Sequence, residues 1–138
     1  VNYQYSGEVD ICLSTIPGAL AQVVTNLVNN SIRHGFEGNE NRENLTNCIS
    51  IHLDKNNHNE INLVYKDNGK GMDKETLVQV FDPFFTTKRN KGGTGLGMNI
   101  VFNIIEQKLN GHIEMQSTLG GGVTCIITLP ILINPTKK

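Results

Sequence analysis

The 138-residue chain has little of what marks a protein for a nucleic acid, a membrane or an oxidising compartment. Its net charge is −1, so no basic field argues for nucleic acid. No apolar run approaches the roughly 20 residues that span a bilayer, and no stretch reads as a signal peptide. Cysteines are few: Cys12, Cys48 and Cys125, odd in number, far apart and each in an apolar-leaning stretch. Such spacing argues against a disulfide framework or a zinc site and for inert buried thiols in a reducing, cytoplasmic compartment. Internal repeats and low-complexity segments are lacking too. What is present is an ordinary globular balance, 38% apolar and 18% charged, with enough length for one core and one domain over residues 1–138. The chain begins on strand-like VNYQY and ends on the polar NPTKK, so a module excised from a longer protein is expected.

Alternation in VNYQY and EVDICLS predicts two short strands, paired at the SGE turn. Thr15 and Pro17 then suit a helix start. Leu20, Val23, Val24, Leu27, Val28 and Ser31 recur at helical spacing and predict a long amphipathic helix over 18–34. After the polar loop GFEGNENRENLTN, the segments CISIHLDK and EINLVYKD predict a hairpin through NNHN. A short helix over 74–80, a second long helix over 96–109, and the strands HIEMQST and GVTCIITLPIL around LGGG complete the pattern. The expected class is α+β: a two-layer α/β sandwich whose mixed, mostly antiparallel sheet carries about three helices on one face.

Four polar clusters stand outside the core pattern. On the first helix Asn26 and Asn30 lie one turn apart, with Arg33 and His34 on their side. Asn is a mediocre helix former; its carbonyl could help hold a hard cation such as Mg²⁺, and Arg33 could face a phosphate. A solvated helix face fits the same residues. In KDNGKGMD, Asp67 ends a strand, and Gly69 and Gly71 permit a sharp turn and close approach to a flat ligand; a plain turn fits equally. VFDPFFTTKRNKGGTGLG joins a phenylalanine group and a basic cluster to glycines that open a helix, an arrangement suited to an anion. It lacks G-x-x-x-x-G-K-[ST], and no strand immediately precedes it, which disfavours the P-loop and dinucleotide classes. A basic solvated loop remains open, and LGGGV alone reads as a hairpin turn.

Taken in order, N-x-x-x-N on a helix, D-x-G-x-G, F-D-P-F-F-T-T-K, G-x-G-L-G and a last G-x-G resemble the ATP-binding catalytic domain of sensor histidine kinases. That family belongs to the Bergerat-fold (GHKL) ATPases, shared with gyrase, mismatch-repair ATPases and a heat-shock chaperone; the resemblance runs over about residues 9–130. It implies ATP and Mg²⁺ as cofactors. Asn30 would be the main Mg²⁺ ligand with Asn26 assisting, Arg33 would touch phosphate, and His34 would lie beside the nucleotide. Asp67 would recognise the adenine amine, in a pocket shaped by Gly69, Gly71 and Met72. Phe81, Phe84 and Phe85 would anchor a lid. Thr87 and Lys88 would contact the nucleotide, Lys88 at the terminal phosphate and catalytic together with Asn30. Gly93, Thr94, Gly95, Leu96 and Gly97 would wrap the triphosphate, with Lys88 to Gly93 as the mobile part. In the last box Gly120 and Gly122 match, but Val123 stands where the family usually has Ser or Thr. Thr124 is the remaining hydroxyl candidate, and strand alternation should face it the other way, leaving backbone or water to support the carboxylate.

The resemblance also bears on the reaction. Gyrase-like relatives place a water-activating Glu one turn before the metal-binding Asn; here that position is Asn26, which cannot act as a base. Transfer of the γ-phosphoryl group is therefore favoured over hydrolysis. None of His34, His52, His58 or His112 lies in the family's phosphoacceptor motif. The acceptor histidine is expected on upstream dimerisation helices, and a response regulator downstream. The isolated domain is expected to be a monomer and the full-length protein a homodimer, with this domain facing the cytoplasm. The alternatives are a partner-binding module of the same fold without kinase activity and, more remotely, an anti-sigma-type serine/threonine kinase.

Overall fold

Period-2 stretches become strands when one face can be buried, and among the described residues five do. The computed structural model describes residues 2–7, 17–36, 47–56, 59–82 and 97–130. Its strands are β1 (Asn2–Gly7), β2 (Cys48–Lys55), β3 (Glu60–Asp67), β4 (His112–Ser117) and β5 (Val123–Pro130). They form one sheet in the order β1-β2-β3-β5-β4. The β2–β3, β3–β5 and β5–β4 pairs are antiparallel, whereas β1 runs parallel to β2, with Tyr5 opposite Ile51. A parallel neighbour needs a long crossover, and the first helix lies on that connection. The sheet is mixed and mostly antiparallel, as expected. The second N-terminal strand, EVDICLS, and the helix cap Thr15 lie outside the described residues.

Alternation sets the buried face. On β5 Val123, Cys125, Ile127 and Leu129 point inward; on β3 Ile61, Leu63, Tyr65 and Asp67 do so. Helices cover that face: α1 (Pro17–Asn30) through Ala19, Val23 and Leu27, and α3 (Gly97–Asn103) through Met98 and Val101. Between them in sequence, α2 (Lys74–Val78) is short and capped by Asp73, whose carboxylate accepts the Thr76 N–H at 2.8 Å. Burial pushes the Cys125 thiol up to about 12, so it stays a thiol at neutral pH; Cys48 is half-buried, and Cys12 is outside the described residues.

Both long helices appear where spacing places them, and both end in a π turn that spacing does not predict. α1 continues as Ser31–Gly35, with the Phe36 N–H on the Ser31 carbonyl at 2.9 Å; α3 continues as Ile104–Lys108, with Leu109 on Ile104 at 2.9 Å. Such i→i+5 turns are rare and gather at functional sites. The first of them carries Arg33 and His34. Among the described residues no helix is long and apolar enough to cross a membrane.

Candidate functional site

Strand alternation carries a carboxylate into the core. Asp67 ends β3 on the inward face, where Leu63 and Tyr65 precede it, and only 8% of its surface remains exposed. A buried carboxylate is tolerated when donors surround it. Oδ1 accepts the backbone N–H of Gly69 at 3.0 Å and of Val123 at 3.1 Å, while Oδ2 accepts the Ser31 hydroxyl at 2.6 Å. A carboxylate offers about four acceptor positions, so one on Oδ2 is left for a further donor. That donor would arrive through a cleft of about 580 Å³, counted out into the solvent at its open mouth.

The walls of the cleft around Asp67 come from five segments. α1 and its π turn supply Asn30, His34 and Gly35; the turn after β3 supplies Gly71 and Met72. Thr76 and Val80 enter from α2 and the residues beyond it, Met98 from α3 and Val123 from β5. Apolar side chains thus flank the opening, with one strong acceptor among them. Such a site suits a flat apolar ring that carries a hydrogen-bond donor.

The turn after β3 is clamped on both sides. The Lys70 N–H donates to the Gly35 carbonyl at 2.7 Å, and the Gly120 N–H to the Lys70 carbonyl at 2.7 Å. Ser117 Oγ accepts the Met72 N–H at 2.8 Å and donates to the Gly122 carbonyl at 2.6 Å. Glycine is required here for approach between main chains. A Cβ on Gly69 would strike the Gly35 backbone, and one on Gly71, where φ is +72°, would strike the Thr118 carbonyl. Both glycines shape the cleft by letting the backbone close behind it.

Of the residues singled out from sequence, Asn30, His34, Asp67, Gly71 and Met72 meet at one cleft. Asn26 is elsewhere: its amide nitrogen donates to the Gly97 carbonyl at 3.3 Å, tying α1 to the start of α3. Arg33 is exposed on the π turn and not part of the cleft wall. Phe81 packs on the Phe102 ring of α3, with centroids 5.3 Å apart, and its carbonyl accepts the Asn99 amide at 3.1 Å. Phe84, Phe85, Thr87, Lys88, Gly93, Thr94, Gly95 and Leu96 lie outside the described residues. Thr124 requires a correction: it sits opposite Lys66, on the face of the sheet away from Asp67, and does not line the cleft. The support expected from backbone comes from the Val123 N–H; the hydroxyl comes from Ser31, which had been counted with the apolar stripe of α1. A hydroxyl at a core position of a helix was the available signal. Thr76, Val80, Met98 and Ser117 carried none.

A divalent cation finds a matching atom in the side-chain carbonyl of Asn30. Among the described residues no group of three or more His, Cys, Asp or Glu could hold a metal ion, so phosphate and water would complete such a shell.

Comparisons with known proteins bear on the family and the fold. The family described as histidine kinase-, DNA gyrase B-, and HSP90-like ATPase matches residues 15–133. Sensor protein SrrB of Staphylococcus aureus (strain NCTC 8325 / PS 47) is 42% identical over 113 residues, which are 79% of this chain and 18% of that protein. The chain thus spans about a fifth or less of the length of the curated relatives it matches. Among solved structures, the nucleotide-free catalytic domain of histidine kinase ThkA superposes with a TM-score of 0.75 at 27% identity, covering 94% of this chain and 78% of that one. Full-length ShkA in complex with AMPPNP gives 0.75 at 17% identity, covering 96% and 26%, a likeness of fold alone. The chain belongs to the histidine kinase-, DNA gyrase B- and HSP90-like ATPase family, and its fold is that of a histidine kinase catalytic domain.

Proposed function

We propose that this chain binds Mg²⁺-ATP and donates the γ-phosphoryl group to a histidine on a separate dimerisation and phosphoacceptor domain of a two-component sensor kinase. The observation that carries the reading is the buried Asp67 carboxylate, which has three donors and one acceptor position left at a cleft with apolar walls. The exocyclic amine of adenine supplies the missing donor, and Met72, Val80 and Met98 flank its ring. Asn30 and His34, on the α1 side of the cleft, face the remainder of the nucleotide. Asn30 holds Mg²⁺, which neutralises phosphate charge; Lys88 and the glycines at 93, 95 and 97 receive the phosphates, with Arg33 adding positive charge. Such chemistry is mainly positioning and electrostatics.

Transfer to an outside histidine is supported by the chain's own histidines. His34 sits in the nucleotide cleft, His52 and His112 are exposed on strands, and His58 is outside the described residues. The phosphoryl group then passes to a response regulator on the cytoplasmic side, in a full-length homodimer. The rival reading, a partner-binding module without kinase activity, drew on Val123 and Arg33; the donors around Asp67 remove the first ground. Calorimetric titration with Mg²⁺-ATP tests nucleotide binding. Asp67→Asn should weaken it by roughly 10- to 100-fold, as expected for a hydrogen bond to a charged group, and unchanged affinity would refute the reading. Incubation with the protein's histidine-bearing segment and γ-labelled ATP should give acid-labile phosphohistidine.

A further inference from the structure

A serine inside a helix ordinarily turns its hydroxyl back to the carbonyl four residues earlier. For Ser31 that carbonyl belongs to Leu27. In this chain a second hydroxyl is already there: Tyr65, 1% exposed beneath α1, donates to the Leu27 carbonyl at 3.1 Å. The same tyrosine oxygen lies 2.6 Å from Ser31 Oγ, and Ser31 Oγ lies 2.6 Å from Asp67 Oδ2. Counting protons orients the chain. The carboxylate only accepts, so Ser31 spends its single O–H on Asp67. Across the other 2.6 Å contact Tyr65 is therefore the donor, and its one proton is shared between Ser31 and Leu27.

We infer that Tyr65 and Ser31 are positioning residues for base recognition: Tyr65 covers the carbonyl to which Ser31 would otherwise turn, and so commits the Ser31 proton to Asp67. The carboxylate is then fixed in plane by two backbone donors on Oδ1 and one hydroxyl on Oδ2, with its remaining acceptor position towards the cleft. Burial raises the Tyr65 hydroxyl pKa and the Asp67 charge adds to the rise, so Tyr65 keeps its proton throughout the neutral range. The relay also ties the base-facing carboxylate to α1 within one turn of Asn30. A ligand group that donates meets a prepared acceptor, whereas one that accepts meets lone pairs. The relay therefore sharpens the choice of a 6-amino over a 6-oxo purine. This inference rests on the proposed adenine reading of Asp67.

Its test is calorimetric titration of the 138-residue chain with ATP and with inosine triphosphate, which carries a carbonyl in place of the amine. Wild type should prefer ATP. Tyr65→Phe keeps the ring and removes only the hydroxyl; Ser31→Ala removes only the serine oxygen. Each should weaken ATP by about 3- to 10-fold, the worth of one ordinary hydrogen bond, and leave inosine triphosphate nearly unchanged, so the preference shrinks. A residue that only supports the core would lower the thermal midpoint and weaken both nucleotides alike. A preference intact in both variants overturns the relay while leaving the adenine reading standing. A wild type without preference, or an Asp67→Asn variant that keeps it, overturns the adenine reading and the relay with it. Should the phenylalanine variant not fold, Ser31→Ala carries the same decision.

Discussion

At the cleft Ser31 meets Asp67 over 2.6 Å, out of solvent; outside it Asn26 reaches the Gly97 carbonyl over 3.3 Å in the open. The two contacts begin on the same helix, one turn and a residue apart, yet they belong to different kinds of site. The end that the proposal gives to the base is made from main-chain donors, a buried hydroxyl relay and glycines that let backbones touch. Its geometry is fixed before any ligand arrives, and low local dielectric strengthens each bond. The end that the proposal gives to phosphate presents, among the described residues, the half-buried Asn26 and Asn30 and the exposed Arg33, each within reach of water, so single contacts there contribute little by themselves. Recognition of a neutral ring needs a fixed acceptor, whereas a polyanion brings enough charge to organise its own surroundings. Substitutions at the two ends should therefore differ in size and in kind.

The largest effect is expected at Gly71. A side chain there must adopt φ +72° and displaces the Thr118 carbonyl, so Gly71→Ala should cost about 3 kcal/mol or more of folding stability. Urea unfolding measures it; a loss below about 1 kcal/mol, the centre of the range for point substitutions in general, would mean that the base end is less rigid than argued. Asp67→Asn comes next and acts on binding. The amide oxygen should stay on the Gly69 and Val123 N–H groups, which turns its NH₂ towards Ser31 and the cleft. The cleft then presents a donor. ATP affinity should fall and inosine triphosphate should gain on it, an inversion that simple loss of packing would not produce.

Much of this was legible in the sequence, and what escaped has physical reasons. Periodicity located β2, β3, β4, β5 and the three helices, because burial of one face writes itself into the spacing of apolar residues. It could not pair β1 with β2, since a parallel partner is chosen through a helix rather than a turn. The π turns were hidden because one extra residue per turn hardly changes composition. Asp67 was recognisable as a carboxylate at a strand end, but its supports were not. Main-chain N–H groups look the same at every residue, so the donor at Val123 could not be told from any other. Side-chain identity left Thr124 as the hydroxyl candidate, and the pleat turns it to the far face, as strand alternation indicates. Ser31 was placed on the buried side, where it lies, but helical spacing alone does not tell its hydroxyl's role from that of the valines around it.

Effects at the phosphate-facing end should be smaller and conditional. Asn30→Ala should leave ATP affinity in EDTA unchanged and remove most of the gain that Mg²⁺ gives, because its carbonyl matters only when a cation is bound. Equal loss with and without Mg²⁺ would make Asn30 a wall residue rather than a ligand. Asn26→Ala removes an exposed side-chain bond to the start of α3 and should lower stability by about 0.5 kcal/mol. A loss in ATP affinity confined to Mg²⁺ would instead bring Asn26 into the coordination shell.

The smallest effect belongs to Asp73, which lies at the edge of the comparison by capping the helix that brings Thr76 and Val80 to the cleft. The Thr76 backbone N–H, followed by its side chain, holds the Asp73 carboxyl below its ordinary 3.8. A carboxylate with a lowered folded pKa contributes stability above its unfolded value, and that contribution is lost as pH falls through the folded one. Asp73→Ala should therefore lower the thermal midpoint slightly at neutral pH, and the gap from wild type should close on acidification below 3.8. The cap is solvent-exposed, so added salt should narrow the gap as well. If ATP affinity also fell in this variant, the α2 wall would have to be counted with the rigid, base-facing end rather than as a passive side of the cleft.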